Sequence, residues 1–82
     1  MITVRVKLFA NVKDIVGSGE MDLKLSDGAD ISEIFQELAI RAPGVQFWKG
    51  HLRFAVNREY VTGKRTLNNG DEVAVIPPVS GG

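Results

Sequence analysis

The residues with the most chemical promise close the sequence: Pro77, Pro78, Val79, Ser80, Gly81 and Gly82. A glycine at the terminus leaves its carboxyl carbon open to attack from either face, because it has no Cβ to shield it. A carboxylate is a poor electrophile until a leaving group is attached. The carboxyl group of Gly82 is therefore the best candidate for a reactive group in the chain, provided another molecule activates it. Two terminal glycines arise by chance in under about 1% of chains at average glycine usage. The preceding Pro77-Pro78 adds to that signal, since it forces an extended exit and stops strand pairing. Val79 to Gly82 would then reach about 13 Å past the folded part. Their small side chains suit a narrow channel in a partner.

The remaining candidates are weaker. His51 is the sole histidine and there is no cysteine, so it has no second soft ligand for a metal and no thiolate nucleophile is available. Asp22, Asp27, Asp30, Glu33 and Glu37 fall on turns and on one helix surface, where carboxylates serve as caps and solvated charges. No phosphate-loop or dinucleotide glycine pattern occurs, and Gly17 and Gly19 lack the flanking strand and helix that a phosphate cradle needs. Trp48 reads as a partial cover for the core. Ten basic residues balance ten acidic ones along the 82-residue chain. This mixture argues against a nucleic-acid or membrane-surface binder, which would carry a basic face. No apolar run approaches the roughly 20 residues of a membrane span. A cytoplasmic domain that binds no metal or cofactor is the expectation.

The elements that must position the terminus are legible from periodicity. Ile2, Val4, Val6 and Leu8 alternate with Thr3, Arg5 and Lys7, as in a half-buried strand. Residues 10–19 read as a loop broken by Gly17 and Gly19, and Met21, Leu23 and Leu25 mark a second strand. Asp30 is a helix N-cap with Glu33 at capping-box spacing. Ile31, Ile34, Phe35 and Leu38 form one apolar stripe. Pro43-Gly44 ends that helix near Arg41. Residues 45–51 read as an irregular connection. Strands follow at 52–57 and, briefly, at 58–63, and a last one passes through Val73 and Val75 after the Asn69-Gly70 turn. This order predicts an α+β domain over 1–78, with one main helix across one face of a mixed sheet, and an extended tail over 79–82. The ubiquitin-like β-grasp, with its first and last strands parallel in the centre, suits it best. On parity, Phe9 shares the face of Arg5 and Lys7, while Ile76 shares that of Glu72 and Ala74. Neighbouring first and last strands would gather Phe9, Ala74 and Ile76, with Ala55 and Tyr60 beside them, into an exposed apolar patch of the kind that marks a protein partner.

Three stretches carry a resemblance to a known family: LFANVKDIVG (8–17), AVN (55–57) and LNNGDEVAVIPPVSGG (67–82). They closely resemble the small, sulfur-carrying subunit of molybdopterin synthase, and the pattern G-D-E-V-A-x-x-P-P-V-[ST]-G-G is its most specific part. The resemblance implies a β-grasp fold and a role in molybdenum cofactor synthesis within a heterotetrameric enzyme. An activating enzyme related to ubiquitin-activating enzymes would use ATP and magnesium to adenylate Gly82. Sulfur from a persulfide donor would displace AMP and leave a C-terminal thiocarboxylate. The loaded tail would enter the synthase large subunit and pass its sulfur to cyclic pyranopterin monophosphate. By position, Phe9, Tyr60 and Ile76 would dock both partners. The carrier would be a cosubstrate, with catalysis residing in the large subunit. Two other readings share the activated carboxyl: a thiazole-pathway sulfur carrier, and a ubiquitin-like modifier joined through Gly82 to lysines.

Overall fold

Alternation in the first strand is realised as burial. Val4, Val6 and Leu8 lie inside, while Thr3 and Arg5 are exposed. The computed structural model describes residues 1–62 and 64–78. Within them the chain runs β1 (Ile2–Leu8), α1 (Ala10–Val16), β2 (Glu20–Leu25), α2 (Ile31–Arg41), a 3₁₀ segment (Pro43–Trp48), β3 (Arg53–Val56), β4 (Glu59–Val61) and β5 (Glu72–Ile76). The strands form one mixed sheet in the order β2-β1-β5-β3-β4. β1 and β5 are parallel at its centre, and the other pairs are antiparallel. This is the expected β-grasp. Val4, Val6, Leu23, Val56, Val73 and Val75 from the sheet meet Ile34 and Leu38 from α2 in a single core. Each such side chain contributes about 1.5–3 kcal/mol by leaving water.

Residues 10–19 correct the sequence reading. They are not an open loop, because Ala10–Val16 forms a short helix. Val12 is buried, and Ile15 and Val16, three and four residues on, pack against the core. The usual start signal is missing: the N-cap is Phe9, with no side-chain hydrogen bond to the helix. Phe9 keeps extended backbone (φ −128°, ψ 154°), and Ala10 reverses the chain in one step with φ 50°. Gly17 closes the helix at φ 86°, a left-handed C-cap that costs glycine little, with its N–H bonded to the Lys13 carbonyl at 2.8 Å.

α2 begins at Asp30 as expected, but no reciprocal capping box forms. The Asp30 carboxylate accepts from the Ser32 N–H at 2.9 Å, while Glu33 instead accepts from the Ser26 hydroxyl at 3.5 Å. Hydrogen bonding from Ser32 holds the Asp30 carboxyl below its ordinary range. The helix ends at Arg41, one residue ahead of the Ala42-Pro43 pair. The connection after it is the 3₁₀ segment, which buries Val45 and half-buries Trp48.

The β3–β4 hairpin turns on Asn57 (φ 50°) and Arg58 (φ 72°), the signature of a two-residue type I′ turn. Its conformation is locked from across the sheet. Asp71, only 8% exposed, accepts from the Asn57 side chain at 3.0 Å and from the Asn68 N–H at 2.8 Å. The Asn57 side-chain oxygen Oδ1 in turn accepts from the Glu72 N–H at 3.1 Å. The turn residues therefore also fix where β5 begins.

Candidate functional site

The face of the sheet away from α2 is divided into two halves. Toward the start of β5 it is charged and internally neutralised. Arg5 reaches Glu20 at 2.7 Å and Asp22 at 3.3 Å, and Lys7 reaches Glu72 at 3.4 Å. The hydrogen bond to Asp22 and the nearby charge of Glu20 raise the Arg5 pKa above its already high ordinary value. Exposed pairs of this kind add little stability, but they occupy both cations of β1, leaving neither Arg5 nor Lys7 to attract a partner.

Toward the end of β5 the same face turns apolar. Register sets one row directly: Lys7 lies opposite Ala74, Ala74 opposite Ala55, and Ala55 opposite Tyr60. The next row holds Ile76 opposite Arg53. Phe9 follows the Leu8–Val75 pair just as Ile76 does, and its extended backbone preserves the alternation, so both side chains share this face. The structure thus gathers all five residues expected from parity. They differ in exposure. Tyr60 and Phe9 stand out at 67% and 46%, Ala74 and Ile76 are half-buried, and Ala55 is buried. Ala55 and Ala74 form a flat floor between taller neighbours.

Arg53 is the member that sequence reasoning missed. Its guanidinium lies 5.9 Å from the centre of the Tyr60 ring, within cation–π range, and it faces Ile76 across the strands. Parity with Ala55 was the available signal. Arg53 makes no ion pair among the described residues and gives the apolar patch a positive charge at the end where β5 finishes.

The chain leaves the sheet from this end of the patch. Pro77 is buried and Pro78 is exposed, so the first proline belongs to the domain and the second begins the exit. The expected reactive end, Val79, Ser80, Gly81 and Gly82, lies outside the described residues. His51 is exposed, and among the described residues no cluster of three or more potential metal-binding side chains occurs. No helix in the described residues is long and apolar enough to cross a membrane. A half-exposed apolar patch with one cation, set beside the departing strand, suits the docking of a protein that must also grip the terminus.

The chain is similar to known proteins over its whole length. The pattern of the ThiS family matches residues 6–82. A molybdopterin synthase sulfur carrier subunit from Chlamydomonas reinhardtii is 36% identical over 81 residues, spanning 96% of this chain and 98% of that protein. Among solved structures, SAMP1 from Haloferax volcanii is 26% identical with a TM-score of 0.86, covering 98% of this chain and 99% of that one. A chain from the complex of subunits 1 and 2 of the molybdopterin-converting factor of Helicobacter pylori 26695 is 27% identical with a TM-score of 0.70. That match covers 99% of this chain and 100% of the other. With matched residues running from the first strand to the last glycine, the chain belongs to the ThiS family, in its group of molybdopterin synthase sulfur carrier subunits.

Proposed function

We propose that this protein is the cytoplasmic sulfur carrier of a molybdopterin synthase, and that its working atom is the carboxyl carbon of Gly82. An activating enzyme binds the apolar patch and holds Gly82 against ATP and magnesium, both of which belong to that partner. The carboxylate attacks the α-phosphorus, pyrophosphate leaves, and an acyl adenylate forms. The outer sulfur of a persulfide donor displaces AMP to give an acyl disulfide. A second thiol cleaves that disulfide, becoming disulfide-bonded to the donor and leaving a thiocarboxylate that is anionic at neutral pH and a strong nucleophile. The carrier then moves to the synthase large subunit and gives its sulfur to cyclic pyranopterin monophosphate. The dithiolene of the product contains two sulfurs, so carriers exchange or reload between steps. In this scheme the chain carries and presents, and the catalytic groups sit on its partners.

The observation that supports this reading best is spatial. The only part of the outer sheet face that is both apolar and unneutralised among the described residues borders the exit at Pro77-Pro78, which leads to Gly82. One patch serving two successive partners explains why a cosubstrate needs no active site of its own. A complex of the corresponding two subunits exists for the Helicobacter pylori proteins, which supports a large subunit as the second partner.

Intact-mass measurement of the protein co-produced with its activating enzyme tests the scheme. Replacement of one oxygen by sulfur, localised to Gly82, is the expected result. Retention of the unmodified mass under active adenylation would overturn it. The similarity to SAMP1, a small archaeal modifier protein, keeps a second reading in view: amide linkage of Gly82 to lysines. Gly-Gly remnants on the lysines of other proteins, with no thiocarboxylate on the free carrier, would favour that role.

A further inference from the structure

β4 ends the sheet, and its free edge borders an open groove on the α2 side. Phe35 of α2 forms one wall, and Leu52, Phe54 and Val61 form the floor, enclosing about 630 Å³. Lys49 and Arg53 complete the lining. All four apolar side chains are only partly buried, because β4 is three residues long and does not close the core beneath it.

The backbone at this edge is ready to pair. In the type I′ turn, the Val56 carbonyl accepts from the Glu59 N–H, so Val56 and Glu59 form a bonded pair. Bonded and non-bonded pairs alternate along an antiparallel ladder. The N–H and C=O of Tyr60 therefore point away from β3, toward the free edge.

Charge selects what would fit there. Residues 49–65 contain five Lys or Arg residues and a single acidic one, Glu59. None of Lys49, Arg53 or Arg58 makes an ion pair among the described residues. A second copy of the chain is a poor occupant, since β4 against β4 would bring these cations together. We propose that the β4 edge and its groove bind an extended segment of a partner protein in which apolar and acidic residues alternate. The segment would add as a sixth strand with its apolar side chains in the groove. Alternation then puts its carboxylates on the outer face beside Arg53, and Lys49 adds positive charge from the groove lining. Tyr60 and Arg53 belong both to this edge and to the outer patch, so one partner can occupy both without either site depending on the other.

Amide NMR of the labelled full chain tests the proposal without any partner enzyme. The probe is a capped octapeptide alternating valine with aspartate, and a valine–lysine octapeptide is the control. Saturable shifts at Phe35, Tyr60 and Val61 are expected with the acidic probe alone, together with slowed hydrogen exchange at the Tyr60 N–H. The double variant K49E/R53E, altered only at exposed positions, should weaken binding at least about tenfold. Tyr60→Pro should remove it, since proline there deletes an outward N–H and no ladder bond. Should that variant unfold, the charge-reversal pair still decides the matter. Four results would overturn the proposal: shifts centred on Phe9, Ala74 and Ile76, equal affinity for the lysine probe, no shifts at millimolar peptide, or self-association through Tyr60 without peptide.

Discussion

Phe9 does two jobs that pull its side chain in one direction. As the last extended residue after β1 it must continue the alternation, and as the N-cap of α1 it must stop before the helix turns inward. The result is a large aromatic ring at 46% exposure on the outer face. Neither job draws stability from the ring. Phe9→Asp should therefore leave the melting temperature unchanged or slightly raised, because aspartate is a far better N-cap than phenylalanine. The same change should weaken binding to the synthase large subunit by about 2 kcal/mol, near thirtyfold, through loss of a buried ring and gain of a desolvated charge. Calorimetric titration alongside thermal melting checks both halves. A large fall in melting temperature would instead assign Phe9 to the core.

At the scale of elements, what places β5 matters most, because β5 carries both the patch and the exit. Asp71 sits just before it and ties three segments together. Its carboxylate holds Asn57 and Asn68, and its carbonyl accepts from the Arg5 N–H at 2.9 Å. Asp71→Ala leaves the Asn57 amide and a backbone N–H without their acceptor in a nearly closed site. The expected cost is about 2 kcal/mol in urea unfolding, and Asp71→Asn, which keeps one acceptor, should fall between the two. An Asp71→Ala protein as stable as the parent would show that the Asn57 turn holds itself. The Asn69-Gly70 turn also precedes β5, yet it is the Asp71 carboxylate that fixes where the final strand begins.

For the whole molecule, the proposed function divides labour between a domain that docks and a terminus that reacts. Gly82 lies outside the described residues, and the core closes without it. Deleting Gly82 should leave the melting temperature and the patch-mediated affinity unchanged while abolishing thiocarboxylate formation. The remaining terminal carboxylate, one residue short, no longer reaches the adenylation site. Sulfur transfer at the parental rate by the shortened chain would remove Gly82 from the mechanism. The charge layout follows the same division. Among the described residues, Arg5 and Lys7 of β1 are held in ion pairs, while Arg53 of β3 and Arg58 of the β3–β4 turn make none.

Much of this was legible in the residues alone. Period-two alternation in Ile2–Leu8 and Glu72–Ile76, and the stripe from Ile31 to Leu38, determined the elements, their buried faces and the β-grasp order, because burial repeats with the geometry of each element. Parity likewise placed Phe9, Tyr60, Ile76, Ala55 and Ala74 on one face, while the expectation of a reactive carboxyl falls on Gly82, outside the described residues. Tertiary structure alone decided the rest. α1 forms despite a poor N-cap because Val12, Ile15 and Val16 find the core there, and no local signal reports that contact. Arg53 joins the patch, and the groove opens beside β4, only once strands distant in sequence lie side by side. A local pattern states which face a residue takes; which residues from elsewhere share that face is set by long-range pairing.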